Sequence, residues 1–506
     1  MVVARTLAVA LHGVDGGIVE IEADLANGLP AFTIIGLPDA ALGEAKDRVR
    51  SAAANSGCDL PNRKVTVNLS PASLPKHGSG FDLGIAVAAL ATTGIVSDAA
   101  ISSVVHLGEL SLDGRLRPVA GVLPAVLAAR RAGARAVVVP SGNASEAALV
   151  PGIRVIAAAS LRDVLIGHGA ALDVVPVEPL AAAVSLEPVT ESGDLADVVG
   201  HPEAVEALQV AAAGGHHMLM MGPPGAGKTM LASRLPGLLP DLEPDAAVEV
   251  SSIRSLAGLP LGSSLVTRPP LEAPHHSATM ASLIGGGSGL VRPGAISRAA
   301  HGVLFLDEAP EFAGAVLDAL RQPLETGEIT IHRARTVARF PARFQLVLAA
   351  NPCPCGNGGS DDCTCTPMMR RRYLGRLSGP LLDRIDLQLT VRRVGTAQMT
   401  DGAPGATTSA IARDRVVAAR SRARQRWGAH GWSLNAQVPG AALRGERWRL
   451  AAADRGALDR ALERGAITMR GYDRVLRVAW TLADLDGVDR PGADQLGRAL
   501  YLRKGI

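Results

Sequence analysis

Residues Gly222-Pro-Pro-Gly-Ala-Gly-Lys228-Thr229 decide how this chain is read. They fit the pattern G-x-x-x-x-G-K-[ST], a loop whose glycines let backbone N–H groups close around phosphates. The context is right for such a loop. An apolar strand candidate, His217–Met221, precedes it, and a helix candidate, Met230–Leu235, follows. The helix N-terminus adds a positive field. Gly222, Pro223, Pro224, Gly225, Ala226 and Gly227 would form the cradle. Lys228 would reach the β/γ-phosphates of ATP, and Thr229 would bind Mg²⁺. Only five of the 51 Lys and Arg residues are lysines, which makes a lysine at this position more telling.

Further signals follow in order. Gly302-Val-Leu-Phe-Leu-Asp307-Glu308 is an apolar strand ending in two carboxylates. Asp307 would hold Mg²⁺, directly or through water, and Glu308 would polarise the attacking water. A third strand, Phe344–Ala350, ends at Asn351, whose amide can orient that water. Downstream, Gly379-Pro-Leu-Leu-Asp383-Arg384-Ile-Asp386 offers an arginine to neutralise charge on the transferred phosphate. Strand, loop and helix alternate through this part, which points to an α/β layer fold.

The ordered set GPPGAGKT, GVLFLDE, AANP and LLDRID resembles the AAA+ ATPases, most of all their magnesium-chelatase and MCM branch. APHHSA (273–278), LIGGGS (283–288), RPGAIS (292–297), LFLDEAPEF (304–312), NPCPCG (351–356) and GPLLDRIDL (379–387) narrow the resemblance to the YifB/ComM family of Mg-chelatase-like proteins, over nearly the whole chain. The resemblance implies an AAA+ P-loop core, an α/β/α sandwich. A Lon-protease-like α+β domain of the ribosomal S5 domain 2-like type precedes it, and a helical domain follows.

Residue roles are implied with it. Asn351 matches the sensor-1 position. Arg384 matches the arginine finger that acts on a neighbouring subunit's ATP, so a ring, usually a homo-hexamer, is implied. Arg470 matches sensor 2, with Arg474 one helical turn on as the alternative. Trp480 stands where the family is expected to carry arginine. Glu328–Phe340 reads as two strands around a tip of His332, Arg333 and Arg335, and by resemblance it is the pore-lining pre-sensor-1 hairpin. Basic tips there would grip DNA phosphates without reading sequence. A plain surface hairpin is the alternative. Residues 278–295 would be the helix-2 insert, a flexible pore loop.

Two stretches read as linkers, 174–194 and 396–410, which divides the chain into 1–175, 195–395 and 411–506. The first segment shows strands at Ile18–Ile21, Lys64–Leu69 and Ala136–Val139, and helices at Ala40–Ser56 and Val119–Ala132. Its segments Pro75–Gly84 and Gly108–Gly121 resemble the Lon protease domain. That domain's serine nucleophile falls at Asp82 here and its lysine at Leu123, so no peptidase activity is expected.

Cys353-x-Cys355-x₇-Cys363-x-Cys365 gathers four of the five cysteines. Two pairs closing a loop suit tetrahedral Zn²⁺, although C-x-C is tighter than the usual spacing. Unligated or redox-labile thiols are the alternative. A disulfide pair fits a cytoplasmic protein less well.

The chain has 506 residues, 47% hydrophobic, with a net charge of +3, which is enough core for about three domains and excludes bulk disorder. Residues 396–506 carry 19 basic and 11 acidic side chains, a net of +8, against −5 elsewhere. A helix over 413–427 would carry a basic stripe of six arginines, as nucleic-acid binders do; a solvated surface helix is the alternative. No signal peptide is recognisable at the start. The longest apolar run, Leu83–Val96, reads as a buried helix, too short for a membrane span. A cytoplasmic protein is expected.

Three functions compete. The first is an ATP-driven DNA motor for branch migration or helicase work in recombination or natural transformation. The second is a chelatase motor subunit for metal insertion, from which the Lon-like domain and the cysteine cluster set the chain apart. The third is an ATP-dependent protease, opposed by the missing dyad.

Overall fold

The computed structural model describes residues 2–504, apart from 37–39, 77, 182–192, 288–290, 334–335, 358–362 and 396–406. Two large sheets organise them. The first begins with a long hairpin, Val2–His12 against Asp15–Ala26, paired from Val2↔Leu25 to His12↔Asp15. Val19, Ile21, Ala23 and Leu25 are all buried, so one face of the second strand lines the core at the two-residue strand period. The full order is Ala31–Ile35, Lys64–Ser70, Asp15–Ala26, Val2–His12, Val104–His106, Ala136–Pro140, Arg154–Ala158. The expected strands and helices of this segment recur as Asp15–Ala26, Lys64–Ser70, Ala136–Pro140, Ala40–Asn55 and Val122–Arg131. The opening strand Val2–His12 is an addition, because its short alternation of apolar and polar residues resembles many loops.

The helix Asp82–Ala91 is buried along its whole length against this sheet. The run Leu83–Val96 is therefore a core helix that stops at Thr92. Among the described residues no helix is long and apolar enough to cross a membrane.

The second sheet is parallel throughout. Its order is Leu271–Glu272, Val303–Leu306, Gln345–Ala350, Met218–Met221, Leu387–Thr390. The strand that leads into Gly222 lies between the fourth and fifth strands of this sheet in chain order. The strand order reverses there, and ligands of open α/β sheets bind at such a point, beyond the carboxyl ends of the strands.

The carboxy-terminal helices Ser409–Trp427, Met469–Asp486 and Ala493–Lys504 share one apolar core with the helices Pro202–Gly214 and Lys228–Leu238. At its centre Trp427 meets Trp448 and Trp480 edge-on, at 4.6 and 5.5 Å between centroids. Trp480 thus fills the core of the helical layer, which suits an indole and not a guanidinium.

The six arginines of Ser409–Trp427 correct the reading of a free basic stripe. Arg413 donates to the Leu239 carbonyl and pairs with Asp241, Arg415 donates to Gln209, and Arg420 donates twice to the Ala212 carbonyl. Arg422 and Arg426 reach the Asp484 carbonyl and carboxylate, and Arg424 pairs with Glu243. These cations join the helix to the layer beneath it. A stripe counted on one helix says nothing of the acceptors that neighbouring elements bring to it.

The two sheets also meet. Gly13, in the first hairpin's turn at φ +72°, would place a Cβ 2.1 Å from the Arg339 carbonyl oxygen. Leu11 and Val14 pack there against Ala338 and Phe340 of the second antiparallel hairpin, Glu328–Arg333 with Thr336–Pro341. The insert is not wholly loop. Met280–Ile284 is a short helix, and Gly285–Gly286 pairs with Arg292–Pro293.

His217 leads into the central strand. Its Nδ1 accepts the Leu346 N–H at 3.0 Å, and burial pushes the imidazole down to about 4. Both hold the ring neutral, whereas an unfolded histidine titrates near 6.5. Because the folded pKa is depressed, this part of the stability is complete above pH 6.5 and is lost as pH falls through about 4. In urea denaturation against pH, His217→Asn, which keeps an acceptor and does not titrate, should flatten the profile over that window. Identical slopes for variant and wild type would contradict it.

Candidate active site

The phosphate loop takes its shape from close backbone contact. A Cβ at Gly222 would lie 2.1 Å from the Val391 carbonyl oxygen, and the Gly222 N–H continues the sheet ladder to Ala350 at 3.1 Å. Gly225 and Gly227 hold φ values of +75° and +88°, which disfavour a side chain. Gly227 then caps the helix Lys228–Leu238, whose first N–H groups face the loop. Lys228 is buried. Its Nζ donates to the carbonyls of Gly222 (2.7 Å) and Pro223 (3.0 Å) and to Asn351 Oδ1 (3.0 Å). Burial lowers its pKa, while Asp307 and Glu308 pull the other way.

Thr229 and Asp307 converge. The Thr229 hydroxyl donates to Asp307 Oδ2 at 2.5 Å, so two oxygen donors stand where a hard divalent cation such as Mg²⁺ would be held. Asp307 Oδ1 also accepts the Glu308 N–H at 2.9 Å. Glu308 sits at φ +51°, an uncommon conformation for a residue with a side chain. Its Oε2 lies 3.2 Å from His276 Nδ1. Lys228, Thr229, Asp307, Glu308 and Asn351 thus form one connected group at one end of the sheet. His276 was overlooked within APHHSA, although the pairing of its strand with Val303–Leu306 brings it there. Tyr373, which closes the floor of the site beside Asn351, gave no signal in the sequence.

Arg384 and Arg470 belong to a second group. Arg384 pairs with Glu325 and donates to the Pro380 carbonyl at 2.5 Å. Burial lowers its pKa, and Arg470, Arg474 and Arg321 lower it further. Arg470 is 71% exposed and lies 3.6 Å from Asp383, whereas Arg474 is 15% exposed and clasps the buried Asp386. Among the described residues no hydrogen bond or ion pair joins Arg384 or Arg470 to the Lys228 group.

The four thiols meet. Cys353 Sγ lies 3.3 Å from Cys355 and 3.8 Å from Cys363, Cys355 lies 3.6 Å from Cys363, and all four sulfurs are within 4.8 Å of one another. A tetrahedral thiolate shell with Zn–S of about 2.3 Å needs sulfurs about 3.8 Å apart, so the donor set fits Zn²⁺. None of these distances is that of a disulfide. The cluster leans on the phosphate loop: a Cβ at Gly356 would come within 2.6 Å of Pro224.

Of the hairpin's basic tip, His332 is exposed at the end of its strand. The Arg333 side chain and all of Arg335 lie outside the described residues, as do 288–290 of the insert and most of the second linker.

At the Lon-type positions, Asp82 is buried and held by Arg48 at 2.7 and 3.1 Å. Burial raises its pKa to about 6 against the pull of Arg48. Leu123 is buried in the apolar layer under the helix Val122–Arg131. There is no hydroxyl at 82 and no amine at 123. Ser79 donates to Glu109, and the buried Lys76 donates to the carbonyls of Pro71 and Leu74.

The magnesium chelatase subunit ChlI family matches residues 194–399, its C-terminal portion matches 406–503, and a further ChlI family matches 21–143. Competence protein ComM of Haemophilus influenzae is 42% identical over 499 residues, covering 98% of this chain and 96% of that protein. The YifB protein of Escherichia coli is 40% identical over 497 residues, with the same coverage. A Lon protease of Mycolicibacterium smegmatis is 32% identical over 197 residues, 37% of this chain and 23% of that protein. The first segment therefore has a counterpart in the chelatase family too, and its presence does not set the chain apart from that family.

Lys228→Ala should abolish nucleotide binding, read with a fluorescent ATP analogue. Asn351→Ala should lower ATP turnover at least tenfold with a smaller change in KM, since its amide faces Lys228 and the carboxylates and leaves the loop intact. Full turnover by either variant would contradict the grouping.

Proposed function

The chain belongs to the YifB/ComM family of magnesium-chelatase-like AAA+ ATPases, and on that footing we propose that it is a ring-forming ATP-hydrolysing motor that acts on single-stranded or branched DNA. The observation that carries the ATPase part is the interlocked group Lys228, Thr229, Asp307, Glu308 and Asn351. Glu308 takes a proton from water as the water oxygen bonds the γ-phosphorus and ADP leaves with the bridging oxygen. Lys228 steadies the β/γ-phosphates. Thr229 and Asp307 hold Mg²⁺, which when bound neutralises charge building on the phosphate oxygens.

Arg384 and Arg470 serve a neighbouring subunit's nucleotide. Their separation from the Lys228 group within one chain supports this, and so does the exposure of Arg470. Arg474 is the weaker choice for sensor 2 because its charge is spent on Asp386. Domains of about 1–175, 195–395 and 411–506 carry these roles, with the first as scaffold or guide and not as peptidase.

DNA is favoured as the partner because the full-length relative is a competence protein and because the hairpin bears His332, Arg333 and Arg335 at its tip. Metal insertion, as a chelatase motor subunit, is the second reading, and the ChlI family match supports it. ATPase assays with and without single-stranded and forked DNA, together with a branch-migration assay, separate the two. Stimulation and salt-sensitive binding are expected. Absence of both at low salt would sink the DNA motor. Mixing Lys228→Ala with Arg384→Ala, each inactive alone, should restore part of the turnover, since mixed interfaces pair an intact loop with an intact finger.

Cys353, Cys355, Cys363 and Cys365 would hold one structural Zn²⁺ in a closed shell that leaves no open position for chemistry. Elemental analysis of protein purified without chelator should find about one zinc per chain, lost in Cys353→Ser. Zinc-free protein with four titratable thiols would show that the cluster is unligated.

A further inference from the structure

The segment APHHSA has no part in nucleotide binding as described above, yet one of its histidines touches the catalytic carboxylate. We propose that His276 is a positioning residue that holds Glu308 away from the attacking water and ties its release to movement of the insert at 278–295. The inference rests on Glu308 as the residue that polarises water. It needs the DNA reading only for one arm of its test.

The contact follows from strand register. Leu271 pairs with Val303 and Glu272 with Leu304 in a parallel ladder. Four residues beyond each of the latter pair stand His276 and Glu308, so both leave the sheet side by side at the same end. There His276 Nδ1 lies 3.2 Å from Glu308 Oε2, with the two side chains 36% and 50% exposed. A carboxylate oxygen engaged by a ring N–H is a poorer proton acceptor and is aimed at the ring. The turn at φ +51° fixes the Glu308 backbone, so only the side chain has freedom to swing between His276 and the phosphate side.

His276 is itself steered from the insert. The ring of His275 lies 4.0 Å from it, and His275 is pinned by the Ser277 hydroxyl at 2.8 Å. The Ala278 N–H closes a turn onto the His275 carbonyl at 2.9 Å. Thr279 then caps the helix Met280–Ile284 through the Ser282 N–H at 3.2 Å, and this helix leads directly into the glycine ladder of the insert. A pull on the insert is therefore delivered within three residues of His276. Glu272, on the other side, is anchored to Arg298 by two hydrogen bonds of 3.1 and 2.8 Å, so the strand stays fixed while the loop beyond it moves.

His276→Ala removes the donor, and His276→Asn replaces Nδ1 with an amide N–H at nearly the same place. Steady-state kcat and KM for ATP are measured for both and for wild type, without DNA and with single-stranded DNA. The expected result is a basal kcat for His276→Ala several-fold above wild type at unchanged KM, with His276→Asn close to wild type. DNA should stimulate wild type and His276→Asn but add little to His276→Ala. A basal kcat for His276→Ala at or below wild type, or a rise shared equally by His276→Asn, would overturn the proposal. If DNA stimulates none of the three, the DNA reading fails, while the basal comparison still decides the role of His276.

Discussion

The buried carboxylate of Asp386 is the joint on which the ATPase layer and the helical layer are set. It accepts from His216 Nδ1 at 3.2 Å and from the His217 N–H at 3.3 Å, and it is clasped by Arg474. Burial alone would raise its pKa, yet Arg474 and His216 hold it well below the usual carboxylate range. His216 passes the connection on to Thr481, Thr481 to Asn435, and Asn435 to the indole of Trp427. A buried ion pair is weak evidence for stability in itself, but removing one partner leaves an uncompensated charge that costs about 3–5 kcal/mol. The consequence here is positional. Asp386 lies two residues after Arg384 and one before the strand beside the phosphate-loop strand. The clasp therefore fixes the arginine candidates relative to the sheet.

The parallel sheet does the rest. Met221 pairs with Ala350 and Leu306 with Leu348, so the next residues of each strand, Gly222, Asn351 and Asp307, emerge at one edge. Every polar group of the site is thus a strand-end residue held by a rigid ladder, which limits how far each can stray. The cysteine cluster adds a second brace, since it follows Asn351 directly and touches Pro224 through Gly356. Phosphate loop and sensor asparagine are buttressed by the same turn.

Much of this was legible in advance. The loop at 222–229, the carboxylates at 307–308 and the amide at 351 each end an apolar strand, and local pattern suffices to find such residues. The thiols were legible as a cluster because they are close in sequence. The six arginines of Ser409–Trp427 were misleading, because their acceptors, among them Leu239, Gln209 and Ala212, come from far along the chain. The opening strand Val2–His12 was hidden because only its partner Asp15–Ala26 gives its alternation meaning.

What the sequence determined by itself is the chemistry: a phosphate cradle, two carboxylates, an amide, a set of arginines and four thiols, in an order that few folds share. Tertiary structure alone decided which of them meet. It brought Lys228 to Asn351 and Thr229 to Asp307. It set His276 against Glu308 and spent Arg474 on Asp386 while leaving Arg470 exposed. The reason is physical. Residue type and local spacing fix what a side chain can do, whereas sheet register and burial, which join residues tens to hundreds of positions apart, fix what it does it to.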